Sequence, residues 1–274
     1  MNRIKPIINI DTSYVFHMLA VAKCGYDNDY GKCFAPLHDA KDLQVLKDNE
    51  ILLTIEGGVH MGELYPLMVI VPASLQYGVE WYYAFSQHMY SSRDWGGLTQ
   101  QLLAISDVMA RNYSIFKEKV WGEAKAELLA YAADVRKAFD ENGISAKIEK
   151  LMGLTPGYDE FQPIFANSLA GGAEAIDISD NRHIFGIGRD TEGAVKFISH
   201  EYIISLIKQT VGINDMPNIM QYWIEIESLA AYYYGKIFEG KHIFVEDRSI
   251  IEFYESKGGM LGAKDLLFAA IERD

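Results

Sequence analysis

The dipeptide His200-Glu201 is where residue types and spacing point most directly to a chemistry. On a helix, residues i and i+4 project from one face. The pattern His-Glu-x-x-His therefore lets two imidazoles share a zinc ion while the glutamate activates a metal-bound water. The fifth position here is Ile204, which has no lone pair to donate, and neither Ile203 nor Lys196 at the neighbouring spacings supplies another ligand. A second acidic residue, Glu227, shares a helical face with Trp223, Ala230 and Tyr234, whereas Glu225 lies beside Gln221 and Lys236. Glu227 is thus expected to face inward and to need a partner, since an unpaired desolvated carboxylate costs several kcal/mol or takes up a proton. His200, on a face with Phe197, Ile203, Ile204 and Ile207, is the natural one. Glu201 is expected further round, towards Ser205 and Lys208.

The run Glu225-Ile226-Glu227-Ser228-Leu229-Ala230-Ala231-Tyr232-Tyr233 resembles the third-ligand signature of the gluzincin metallopeptidases, commonly Glu-Gly-Leu-Ala-x-Tyr-Tyr. The resemblance covers residues 172–234. More loosely, residues 8–24 and 30–39 resemble an uncharacterised bacterial zincin-like family. It implies a small sheet, then the His-Glu helix, then a helix carrying the glutamate ligand. In that frame His200 and Glu227 are metal ligands, Glu201 is the general base of an active enzyme, and Ile204 stands where the second histidine belongs. Catalytic zinc ordinarily has three protein ligands. The expectation is therefore a degenerate, catalytically inactive homologue, a pseudoenzyme that binds peptide or protein and takes up no cofactor. An atypical zinc metallopeptidase completed by a non-standard ligand is the enzyme alternative, and a helical interaction or scaffold protein is the third.

Other templates fail. Gly186-Ile187-Gly188 followed by Gly193 lacks the dinucleotide-binding spacing and reads as a turn. The Gly-x-Ser-x-Gly elbow is absent, and Gly31-Lys32 and Gly240-Lys241 run into Cys33 and His242 instead of Ser or Thr. His17, His38, His60, His88, His183 and His242 have no pairwise ligand spacing. The aromatic cluster Trp81, Tyr82, Tyr83 and Phe85 reads as core packing.

The elements that must position these residues are mostly helical. Among the first 150 residues, apolar positions recur every three or four: a helix capped by Thr12 or Ser13 runs to about Cys24, a short one covers 39–47, and a long one covers 115–141, ending at Asn142-Gly143. Residues 160–169, 172–178 and 182–187 read as three strands of a small antiparallel sheet, with an edge near 167–173 open to an extended peptide. Helices follow at 193–210, 218–238, 243–256 and 263–271. The fold class is α+β, mainly helical, with a helical region at 1–150 and a zincin-like region at 151–274, or the two as one compact unit.

Composition narrows the partners. The chain has 274 residues, 49% of them hydrophobic, and a formal net charge of −13, which repels nucleic acid and anionic lipid. The first residues lack a signal-peptide apolar run, and 64–75, broken by Pro66 and Pro72, is too short to span a membrane. Cys24 and Cys33 form no Cys-x-x-Cys pair, and the expected location is the cytoplasm.

Overall fold

A computed structural model describes residues 2–53, 55–56, 59–60, 99–169, 175–209 and 219–238. Its helices are α1 (Ile10–Val21), α2 (Asp29–Phe34), α3 (Ala40–Asp48), α4 (Thr99–Lys119), α5 (Trp121–Asn142), α6 (Ile144–Met152), α7 (Thr191–Lys208) and α8 (Ile219–Phe238). The strands are β1 (Ile55–Glu56), β2 (Val59–His60), β3 (Gln162–Ala166), β4 (Ala175–Ser179) and β5 (Arg182–Gly186). The chain is mainly helical with a small sheet, as α+β requires. The helices expected at 243–256 and 263–271, the aromatic cluster at 81–85 and the segment 64–75 lie outside the described residues, as do His88 and His242.

Local chemistry sets the boundaries. Asn9, rather than Thr12 or Ser13, caps α1, its side chain accepting from the Thr12 N–H; Asp39 caps α3 and Asp190 caps α7 in the same way. Gly143 closes α5 in the left-handed conformation, φ 58°, which a glycine adopts without strain. The single helix expected over 115–141 is instead two, α4 and α5, which meet at Val120. Apolar periodicity runs through the break and conceals it. The hairpin β1–β2 escapes the sequence reading because each strand has only two residues.

The three-stranded sheet has the order β3-β5-β4, with β5 antiparallel to β4 but parallel to β3. The antiparallel expectation is therefore corrected to a mixed sheet. β4 turns directly into β5 through Asp180 and Asn181, and this hairpin inserts β5 beside β3. A further extended segment, residues 3–7, runs parallel to the free side of β3: the Lys5 and Ile7 N–H groups donate to the Phe161 and Pro163 carbonyls at 2.8 Å each. The expected peptide-accepting edge at 167–173 is not a strand where it is described, since Asn167–Leu169 is a 3-10 turn. Among the described residues β4 forms the sheet edge.

Side chains alternate across the sheet. Ile164, Ala166, Ile176 and Ile184 join the core built on α1 and α4, while Phe161, Phe165 and Phe185 join the one built on α5, α7 and α8. Both cores draw on residues before and after position 150. α7 is buried almost all round, lying between α5, α8 and the sheet. None of the described helices is long and apolar enough to cross a membrane.

Candidate functional site

α7 and α8 pack against each other, and their seam brings His200 and Glu227 together. The His200 Nε2 lies 3.0 Å from the Glu227 Oε2, the contact their helical faces predict. The seam is wetter than expected: the Glu227 side chain is 48% exposed and that of His200 23%. Glu227 therefore sits at the rim instead of facing inward. Burial disfavours the charged imidazole of His200, but the hydrogen bond to Glu227 and the charges of Glu201 and Glu227 outweigh it, so its pKa lies above the ordinary histidine value.

Glu201 lies round the helix from His200, on the Ser205 side of α7. Its side chain is 12% exposed and turns to the sheet, where Oε2 lies 3.5 Å from Nδ1 of the fully buried His183 on β5. Ser205, on the same side of α7, donates to the Asp180 carbonyl and shares a 2.6 Å hydrogen bond with the Tyr158 hydroxyl. This polar side thus fixes α7 to the sheet. Polar residues that find internal partners mimic an exposed face in a sequence.

The residues present do not fit a catalytic zinc. Ile204 is 2% exposed and packed in the core with Tyr202, Ile203 and Ile207, so it leaves hydrocarbon where a donor would be needed. Glu201, the expected water activator, turns to the sheet, 3.5 Å from His183. Among the described residues no three His, Cys, Asp or Glu side chains converge as metal ligands would. What the seam can do is hold a proton between an imidazole and a carboxylate and border a shallow cleft.

That cleft encloses about 270 Å³ and is lined by Arg189, Gly193, Lys196, Phe197, His200, Ala231 and Tyr234. The Arg189 guanidinium lies 4.5 Å from the Phe197 ring centroid, and Tyr234 meets the His200 imidazole edge-on at 6.1 Å. Comparison with family models, with curated proteins and with solved structures finds no match for the chain.

A second polar cluster, which sequence reasoning missed, lies in the α1 core. His17 on α1 and His38 face each other with Nε2 atoms 2.8 Å apart. The Tyr30 hydroxyl lies 2.8 Å from His17 Nδ1, and the Asn112 Oδ1 2.7 Å from His38 Nδ1. Burial, then the charge of His38, lowers the His17 pKa to about 3; burial also lowers that of His38. The signal available in the sequence was a histidine inside the apolar stretch of α1 from Val15 to Val21. Its partner is a loop residue, which no periodicity connects to it.

Proposed function

We propose that this chain is a degenerate gluzincin-like metallopeptidase homologue, a non-catalytic pseudoenzyme that binds peptide or protein. The observation that carries this reading is the direct His200–Glu227 hydrogen bond, in which the two side chains expected to flank a metal satisfy each other. The buried Ile204 beside it and the turn of Glu201 towards the sheet are consistent with a site released from catalysis. The order of sheet, His-Glu helix and glutamate helix matches the order that the resemblance implies.

The test is metal content. Protein purified without chelator and dialysed is expected to hold well under one equivalent of zinc and to lack chelator-sensitive peptidase activity. A full structural ligand shell contributes about 10–16 kcal/mol in zinc-finger peptides, so replacing one donor with hydrocarbon weakens binding by orders of magnitude. Stoichiometric zinc that survives dialysis, and is lost on Glu227→Ala, would overturn the reading in favour of an atypical zinc enzyme.

A further inference from the structure

The cleft beside His200 has a chemistry of its own. Its lining combines Phe197, Ala231 and Gly193 with the cations Arg189 and Lys196, the His200 imidazole and the Tyr234 ring. The two cations differ in how they are held. The Lys196 Nζ is 2.6 Å from the Glu192 carboxylate one turn earlier on α7, so its charge is largely compensated. Arg189 has no carboxylate partner among the described residues. Its guanidinium lies over the Phe197 ring, which attracts the cation through the ring face and leaves the edge of the fork free. The Arg189 backbone is held as well: its carbonyl accepts from the Tyr131 hydroxyl at 3.0 Å, and the next residue, Asp190, caps α7 through the Gly193 N–H. The side chain therefore springs from a fixed point.

A guanidinium offers donors and no acceptor, and its planar fork matches a carboxylate in a paired, bidentate contact. An uncompensated fork at the lip of an apolar hollow selects an anion that carries a hydrocarbon group. The 270 Å³ of the hollow is just below the roughly 300 Å³ at which small-molecule sites begin, which suits one residue and not a long segment. The protein as a whole carries −13, so the uncompensated Arg189 is a local exception on a chain that otherwise repels anions.

We propose that this cleft binds the C-terminal residue of a peptide, with Arg189 taking the terminal carboxylate and Phe197 and Ala231 taking an apolar side chain. This rests on the peptide-binding reading above and assigns the part of the peptide that is recognised. A free carboxylic acid shares the head-group chemistry but lacks the peptide's backbone, so the two sources separate by affinity.

The experiment is calorimetric titration of the full chain, in buffer with chelator, with acetyl-alanyl-alanyl-leucine bearing a free C-terminus, with its C-terminal amide, and with isovalerate. The free-acid peptide is expected to bind, the amide at least about tenfold more weakly, and isovalerate more weakly than the peptide. Arg189→Gln should lose at least about tenfold in affinity for the free acid and so collapse the acid-to-amide ratio, with Arg189→Lys between, because a point charge replaces the fork. Equal binding of acid and amide, absence of saturable binding at millimolar peptide, or an Arg189→Gln variant that binds as wild type overturns the proposal. Isovalerate binding as tightly as the peptide overturns the peptide assignment. The acid-to-amide comparison uses wild-type protein and needs no variant to fold. Chelator keeps the outcome separate from the zinc test: bound zinc sinks the pseudoenzyme reading, and indifference to the carboxylate sinks this one.

Discussion

His17 and His38 share a single hydrogen between Nε2 atoms 2.8 Å apart, and the groups around them fix which ring owns it. The Asn112 amide nitrogen donates to the Asp42 carboxylate and to the Val108 carbonyl, so the Asn112 oxygen is the atom facing His38 Nδ1. His38 Nδ1 must therefore carry a hydrogen. With both rings neutral, the bare His38 Nε2 accepts from His17 Nε2–H, and the bare His17 Nδ1 accepts from the Tyr30 hydroxyl. Every donor in the chain points from Tyr30 towards Asp42, which Arg111 closes with a 2.7 Å ion pair.

This neutral pair makes the fold acid-sensitive. The folded pKa of His17 is lowered to about 3 by burial and by His38, while the unfolded value is near 6.5. Above pH 6.5 both states are neutral and nothing is lost. Between about 6.5 and 3 the unfolded chain takes up a proton that the folded chain refuses, so stability falls with acidification at about 1.4 kcal/mol per pH unit from this residue. Urea midpoints measured from pH 7.5 to 4.5 should show the decline. A His17→Gln variant should have a shallower slope, and an unchanged one would mean that the pair is not buried neutral.

Ile204→His places an imidazole one turn beyond His200. Zinc should then bind measurably more tightly than to wild type, and the gain should vanish when Glu227→Ala is added. Without metal the variant should lose about 1–3 kcal/mol, because a polar ring replaces buried hydrocarbon, and regain part of that with zinc. Calorimetry with and without zinc reads both. A folded Ile204→His protein whose melting temperature ignores zinc would show that His200, position 204 and Glu227 do not surround one point.

Glycine positions give a stability test with opposite signs. A Cβ on Gly31 would collide with the Ala20 carbonyl where α2 crosses the end of α1, whereas one on Gly122, near the start of α5, would meet nothing within 4 Å. Gly31→Ala should destabilise by roughly 1–3 kcal/mol, since backbone must move. Gly122→Ala should stabilise by about 0.5–1 kcal/mol, because alanine has less freedom to lose in a helix. Thermal unfolding of the two variants should therefore move in opposite directions.

What the sequence made legible followed regular periods and strong punctuation. The C-terminal end of α5, the start of α7 and the three strands around 160–187 were readable because Asn142-Gly143, Ser179-Asp180-Asn181 and Asp190 break the pattern sharply. The His200–Glu227 contact was readable because each residue occupied a distinct helical face. The parallel placement of β5 beside β3 was not, since strand order depends on a crossover and not on composition. The burial of Glu201 and the His17–His38 pair were hidden for a related reason. A polar side chain satisfied by a distant partner has the same local sequence as one satisfied by water.

The segment at residues 3–7 has a bearing on the order in which the protein assembles. It is synthesised early, and its hydrogen-bonding partner, β3, arrives only after α1 through α6 have been made. α1, almost wholly buried in the finished fold, must wait for the same strand. Such long-range closure slows folding and leaves an apolar helix uncovered on the nascent chain. The cover of α1 is complete only when β3, β4 and β5, which supply Ile164, Ile176 and Ile184 to the same core, have all been made.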